Sequence, residues 1–263
     1  MVEFKGTRAL VTGASSGIGE VFARRLAALG ADLVLTARSA AKLDALAVQL
    51  RGGGSSADVI AKDLSAPGAG TQLAAELEAR GLRIDVLVNN AGFAQFAPLH
   101  EADPEQLTRQ VQLNVVTVTE LTRALLPGML SRDRGAIVNL ASTAAFQPVP
   151  YMSVYGATKA YVLSFTEALW AETRGTQVRV TALCPGATDT AFFDAASDNA
   201  AVGRRMDPQA VVTAALAALD RRRSTVIPGW GNRLTAALPP RLLGRQAMAR
   251  VTERVMRPKP GRR

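Results

Sequence analysis

The sequence predicts an α/β domain: a doubly wound, seven-stranded parallel sheet with helices on both faces, followed by a basic, helical C-terminal tail. Three observations predict it. Short β-branched or apolar runs alternate with amphipathic stretches of helical length, the pattern of parallel strands joined by crossover helices. With 263 residues, 48% apolar and 20% charged, the chain can bury one large core, and its composition excludes intrinsic disorder. The 22 glycines and 13 prolines are scattered, no heptad persists, and no run nears the roughly 20 apolar residues of a spanning helix. Collagen-like, coiled-coil and integral membrane chains are thereby excluded.

Arg8–Thr12 reads as the first strand, and Ile18–Leu29 as a helix stopped by Gly30. Asp32–Ala37 is the second strand, after which Ser39 caps a helix to about Leu50. Ala57–Lys62 is the third, followed by a helix to Arg80, and Asp85–Asn89 is the fourth. A long helix opens at Asp103-Pro104, an N-cap with proline at the first helical position, and extends to about residue 130. Ala136–Leu140 is the fifth strand, 153–173 a second long helix, and Val178–Leu183 the sixth strand. Asp207-Pro208 opens a further helix to about Arg222, and Thr225–Ile227 is a last short strand. Parallel strands joined this way require right-handed crossovers. No linker or repeat interrupts the chain before residue 230, so residues 1–230 read as one domain and 231–263 as an extension.

The formal charge of +9 is unevenly placed. Residues 221–263 carry 12 Lys and Arg against one acid, Glu253, which leaves 19 basic and 21 acidic residues in 1–220. The globular part is nearly neutral, so the charge argues against a nucleic-acid-binding face, which would also need stacking aromatics. The start, Met1-Val2-Glu3-Phe4-Lys5, has no basic and then apolar leader. One cysteine, Cys184, and one histidine, His100, leave nothing for a Cys/His metal cage. A cytoplasmic, metal-free protein is expected, with His100 solvated and Cys184 a small buried filler.

The first strand runs through Thr12-Gly13-Ala14-Ser15-Ser16-Gly17-Ile18-Gly19 directly into a helix. Glycines there let a pyrophosphate approach the amides and the positive helix end, as in Rossmann-type dinucleotide folds. The spacing is G-x-x-x-G-x-G rather than G-x-G-x-x-G, and glycine also makes ordinary turns. Folds that hold NAD(H) place an acid after the second strand; here that place reads Leu35-Thr36-Ala37-Arg38-Ser39. A guanidinium at Arg38 matches a 2′-phosphate, which favours NADP(H) over NAD(H), although an arginine there can also be merely solvated.

Tyr155-Gly156-Ala157-Thr158-Lys159 places a phenol and an amine four apart on one helix face. A tyrosine pKa near 10 is too high for acid/base work at neutral pH, and a fixed ammonium lowers it. Alone, this spacing is common by chance. Its neighbours change the weighing: Ser142 follows the fifth strand, Asn89-Asn90-Ala91-Gly92 ends the fourth, and Pro185-Gly186 follows the sixth. With the glycine turn, four strand ends meet at the carboxyl edge, where open α/β sheets bind ligands.

These residues, in this order and over roughly 5–230, resemble the short-chain dehydrogenase/reductase superfamily in its single-domain form. The resemblance implies that Tyr155 is the general acid of ketone reduction and the base of alcohol oxidation. Lys159 would bind the nicotinamide ribose and depress the Tyr155 pKa. Ser142 would bind the substrate oxygen, and Asn114 would hold a proton-relay water. The cofactor would contact Gly13, Ser15, Ser16, Gly17, Ile18, Gly19, Arg38, Asp63, Leu64, Asn90, Ala91, Gly92, Pro185, Gly186, Thr188 and Thr190. Of these, Asp63 would meet adenine, Asn90 would brace the sheet, and Thr190 would hold the carboxamide. Residues 187–206 would form a lid, and the two long helices would build a homodimer or homotetramer.

Phe93, Gln95, Phe96, Thr143, Phe146, Gln147, Met152, Phe192, Phe193 and Met206 are the candidate substrate wall. Each is as readily plain packing, but together, without Lys or Arg at 143–152, they suggest a small hydrophobic carbonyl or alcohol. Arg204 and Arg205 leave a 3-oxoacyl thioester open, and a non-catalytic NADP(H) sensor or scaffold is the reading from another class. In the tail, Leu243, Ala247, Met248, Val251 and Val255 share one side of a short helix flanked by Arg245, Arg250 and Arg254, limited by Pro239-Pro240 and Gly244. Such a helix either contacts an anionic membrane surface peripherally or docks on its own domain or a neighbouring subunit.

Overall fold

Successive residues of a strand point to opposite faces of its sheet, so each of these apolar runs needs cover on both sides. The structure, a computed structural model, describes residues 2–190, 192, 205–237 and 244–257, and shows how that cover is supplied. The strands are β1 (Arg8–Thr12), β2 (Asp32–Ala37), β3 (Ala57–Ala61), β4 (Val86–Asn89), β5 (Gly135–Leu140), β6 (Val178–Leu183) and β7 (Thr225–Val226). They form one parallel sheet in the order β3-β2-β1-β4-β5-β6-β7. Chain direction across the sheet reverses between β1 and β4, the switch point that opens a crevice at the carboxyl edge.

One face is covered by α1 (Gly17–Ala28), α2 (Ala40–Gly52) and α7 (Pro208–Asp220). There Ala9, Val11, Leu33, Leu35, Val86 and Val88 pack with Phe22, Leu26, Leu43 and Val211. The other face is covered by α3 (Ala69–Ala79), α5 (Val118–Ser131) and α6 (Ser153–Glu172), where Leu10, Val34, Leu87 and Ile137 meet Leu73, Leu77, Leu121 and Leu169. Leu10 lies on one face and Ala9 and Val11 on the other, as the period of two requires. Truncating a fully buried leucine such as Leu26 or Leu73 to alanine costs roughly 2–5 kcal/mol.

The caps sit where their residue types put them. Ser39 accepts from Lys42 N at 3.5 Å, Asp103 from Glu105 N at 2.9 Å and Asp207 from Gln209 N at 2.9 Å. Two expectations need correction. The helix opening at Asp103 is not one α-helix: α4 (Pro104–Val111) passes through a π-helical turn, Gln112–Thr117, before α5. A π turn adds a residue to the helical turn and re-aims the side chains within it, a change that apolar periodicity does not report. The extension also holds a helix not foreseen, α8 (Trp230–Ala237), before α9 (Arg245–Met256). No helix of the described residues is long and apolar enough to cross a membrane.

Candidate active site

The turn between β1 and α1 is built for close backbone approach. Gly13 and Gly17 adopt φ +66° and +58°, the left-handed region that glycine enters without strain. A Cβ at Gly13 would stand 2.8 Å from Asn90 Nδ2, one at Gly17 2.9 Å from Thr190 Cγ2, and one at Gly19 would overlap Gly13 O and Asn90 Nδ2. Asn90 ties this turn to β4: its Nδ2 donates to Thr12 O (2.9 Å) and Gly13 O (3.2 Å). The backbone amides of Asn90 and Ala91 both donate to Thr12 Oγ1 at 2.9 Å. Three hydrogen bonds from Asn90 and one from Ala91 thus join the end of β4 to this turn.

From this turn a cleft of about 1300 Å³ runs along the carboxyl edge of the sheet. Gly13, Ser15, Ser16, Gly17, Ile18, Arg38, Asp63, Leu64, Asn90, Ala91 and Gly92 line it, as do Pro185, Gly186, Thr188 and Thr190. Gly19 lies beneath the turn rather than on the cleft surface, so its part is to let the helix approach Gly13. At the end beside Arg38, Lys62 and Arg109 add two further cations. Asp63 Oδ1 accepts from Ser65 N (3.0 Å) and Oγ (2.7 Å), and its Oδ2 meets Arg109 at 2.5 Å. Burial pushes the Asp63 carboxyl up, but the Ser65 bonds and the Arg109 and Arg38 charges outweigh it and hold it below the usual range. Length, glycine cradle, helix N-terminus and a cationic end fit a dinucleotide phosphate, with Arg38, Lys62 and Arg109 placed to receive it.

At the other end, α6 brings Tyr155 and Lys159 beside Ser142, two residues beyond the end of β5. Tyr155 and Lys159 are 9% and 5% exposed. Ser142 Oγ accepts from Ala144 N at 3.1 Å, and its hydroxyl is close enough to the Tyr155 phenol to favour the phenolate weakly. Lys159 Nζ lies 5.7 Å from the centroid of the Tyr155 ring and donates to Leu140 O at 2.6 Å. The expected depression of the Tyr155 pKa is not what this geometry produces. Burial pushes the phenol up to about 12, against which the Ser142 bond acts weakly, and burial lowers Lys159 to about 8. The ammonium is spent on a carbonyl and on the ring face, not on the phenol oxygen.

Asn114 stands in the π turn, 1% exposed. Its Nδ2 donates to Phe93 O (3.1 Å) and Thr158 Oγ1 (3.2 Å), and its Oδ1 accepts from Phe93 N (3.3 Å). A Cβ at Gly92 would touch both Asn114 Oδ1 (3.0 Å) and Lys159 Nζ (3.6 Å), so glycine is what lets these groups close on one another. Cys184 is buried, its thiol pushed up to about 12 by burial, and it acts as a small filler.

Among the candidate substrate residues, Phe93, Gln95, Thr143, Gln147, Met152 and Phe192 line the cleft, and the Phe192 ring lies 5.7 Å from that of Tyr155. Three do not. Phe96 sits behind the wall with its ring 6.0 Å from Tyr151, Phe146 packs near Ala141 and Val162, and Met206 joins the α1/α7 face of the core. Their loops turn these side chains away from the cleft, which composition cannot foretell. Phe193, Arg204 and Leu243 lie outside the described residues, as does Pro239-Pro240. Arg205 pairs with Asp189 at 3.7 Å. Sequence reasoning missed Ala94 and Val149, and above all Met248, Val251, Thr252, Val255 and Met256 of α9, which complete the wall. The helical period of that segment was legible; its destination was not.

A glycine cradle at a sheet switch point, leading to a buried Ser-Tyr-Lys cluster, defines an oxidoreductase of the nicotinamide-dependent, doubly wound class. The family model described as short chain dehydrogenase matches residues 7–201, and the chain belongs to that family. It is similar to an NADP-dependent 3-hydroxy acid dehydrogenase, YdfG, of Salmonella typhi, with 41% identity over 67% of this chain and 71% of the relative. Another curated relative it matches is spanned over only 62% of its length. Among solved structures, a short-chain dehydrogenase from Sphingobium yanoikuyae in complex with NADPH is 37% identical, with a TM-score of 0.81 over 89% of this chain and 93% of that one. A bulky-bulky ketone specific alcohol dehydrogenase from Comamonas testosteroni is 30% identical, with a TM-score of 0.76 over 98% and 96%.

Proposed function

We propose that this protein is an NADP(H)-dependent reductase of a hydrophobic ketone or aldehyde, the reverse reaction being oxidation of the alcohol. The observation that supports this best is the division of charge along the cleft. Among the described lining residues, Arg38, Lys62 and Arg109 cluster at the nucleotide end, whereas the wall around Ser142 and Tyr155 carries Phe93, Ala94, Val149, Met152 and Phe192 with the uncharged Gln95, Thr143 and Gln147 as polar neighbours. An acid substrate such as the name YdfG implies would need a cation there, and Lys159 is already bonded to Leu140 O. The NADP(H)-bound relative supports the cofactor, with NAD(H) the alternative.

Bound in the cleft, the nicotinamide supplies or accepts the hydride. Ser142 orients the carbonyl oxygen by its hydroxyl. Tyr155, its pKa raised to about 12, keeps its proton at neutral pH and delivers it to the alkoxide-like oxygen as general acid. Lys159, over the ring face, would hold the nicotinamide ribose with its ammonium, and Asn114 fixes the Phe93 backbone beside them. Phe192 and the apolar wall exclude water from the reacting atoms.

A homo-oligomer built through α4, α5 and α6 and a cytoplasmic setting belong to the same proposal. Val111, Leu130 and Tyr161 are exposed on those helices, in support of the former. The membrane-surface reading of the tail finds less support, since Met248 and Met256 are buried against the chain's own domain. The test is a panel of ketones, 3-oxoacyl thioesters and 3-hydroxy acids with NADPH and NADH, followed by absorbance. Reduction of free ketones with NADPH supports the reading. Turnover confined to thioesters or acids, or a preference for NADH, overturns the corresponding part.

A further inference from the structure

α9 lies beyond the residues that the family model matches, yet it closes the substrate half of the cleft. Its inward face carries Met248, Thr252 and Met256, spaced four apart and buried, with Met256 packed among Ala94, Val149, Met152 and Tyr155. Val251 and Val255 stand one step around the helix. They line the cleft while staying 46% and 59% exposed. Arg250, Arg254 and Arg257 face solvent. The amphipathic pattern of this segment is thus resolved into an apolar side toward the cleft and a cationic side toward water.

Among the described residues, a polar tie joins it to the domain. Tyr151 Oη donates to Glu253 Oε1 at 2.8 Å, and Arg257 donates to the two carboxylate oxygens at 2.8 and 3.1 Å. Tyr151 holds φ +66°, a left-handed conformation that a bulky residue adopts at a cost. Its carbonyl accepts from Ala97 N at 2.9 Å, and its ring lies beside Phe96, so the strained backbone is pinned with the phenol aimed at α9. Phe96 therefore supports the latch instead of touching substrate.

We propose that α9 is the specificity-determining wall of the substrate site and that Tyr151 and Glu253 are positioning residues that hold it there. The enzyme then favours ketones whose apolar portion extends beyond the reacting carbonyl far enough to cover Val251 and Val255. This rests on the carbonyl-reductase reading above.

The experiment is a series of 2-alkanones from 2-butanone to 2-dodecanone with NADPH, run on the full chain and its Tyr151→Phe, Glu253→Ala, Glu253→Gln and Val255→Ser variants. Hydrogen exchange of the 245–257 amides is measured in parallel. In the parent, kcat/KM rises roughly two- to fourfold per methylene until the wall is covered. In Tyr151→Phe, Glu253→Ala and Val255→Ser, the long-chain advantage shrinks about tenfold, mainly through KM. Glu253→Gln, which retains an acceptor, keeps more of it. Exchange in α9 quickens in Tyr151→Phe and Glu253→Ala, and their combination is no worse than Glu253→Ala alone, the mark of one shared bond. An unchanged chain-length profile, an equal loss on 2-butanone and 2-dodecanone, or unchanged α9 exchange overturns the inference. A parent that reduces no alkanone overturns the carbonyl-reductase reading instead, while the exchange arm still decides the latch.

Discussion

The two halves of the cleft are assembled at different ranges along the chain. The nucleotide half is made of short segments that each end one strand: residues 13–19, Arg38, Asp63 and 90–92. Each is placed by its own strand–turn–helix unit, and the sheet brings the units side by side. The substrate half instead joins Phe93, the turn after β5, Phe192 and α9, so that Tyr151 meets Glu253 across 102 residues. The first half is a property of the fold and the second of how loops and tail fold back on it. Cofactor binding is therefore tied to local geometry, and substrate choice to long-range packing.

Changing one group from each half sharpens that contrast. The largest effect is expected from Tyr155→Phe: removal of the general acid lowers ketone reduction roughly 10²- to 10⁴-fold, with NADPH binding retained in a fluorescence titration. Arg38→Ala comes next. Loss of charge-assisted bonds to a 2′-phosphate, roughly 1.5–3 kcal/mol, raises the KM for NADPH about ten- to a hundredfold and leaves that for NADH nearly unchanged. An equal change with both cofactors would show that the phosphate is not read there. Gly19→Ala forces a methyl into Gly13 O and costs roughly 1–3 kcal/mol of stability, read as a lower Tm together with weaker cofactor binding.

The smallest effect is pH dependence. Lys159, lowered to about 8 by burial, loses its charge as pH rises through that value, so kcat/KM for reduction falls severalfold across it. Lys159→Met flattens that limb. The stability linkage has the opposite sign: between about 8 and the ordinary value of 10.5 the unfolded chain holds the lysine proton more tightly, so the folded state gains as pH rises. A urea-melt series between pH 7.5 and 9 checks it, below the range where the buried Cys184 thiol, raised from 9.0 to about 12, and the Tyr155 phenol act the other way.

Particular residues show how far a single sequence carries the argument. Thr12 to Gly19 was readable because glycine spacing, strand period and helix start all report on residues within one turn of each other. The Asp103 and Asp207 caps were readable for the same reason. The π turn around Asn114 was not, since inserting a residue in a helical turn leaves composition unchanged. Nor could spacing settle the ionisation of Tyr155: four residues on one face set the Tyr–Lys approach, whereas the pKa depends on burial and on Leu140 O, a partner nineteen residues from Lys159.

By itself, the sequence determined the parallel sheet and the glycine cradle and pointed to the groups proposed to react, because periodicity and turn chemistry act over a few residues. Tertiary structure alone decided which aromatics face the cleft, that Lys159 is held by a backbone carbonyl, and that α9 lines the cleft. Those outcomes depend on which surfaces bury against one another, and burial is a property of the whole chain.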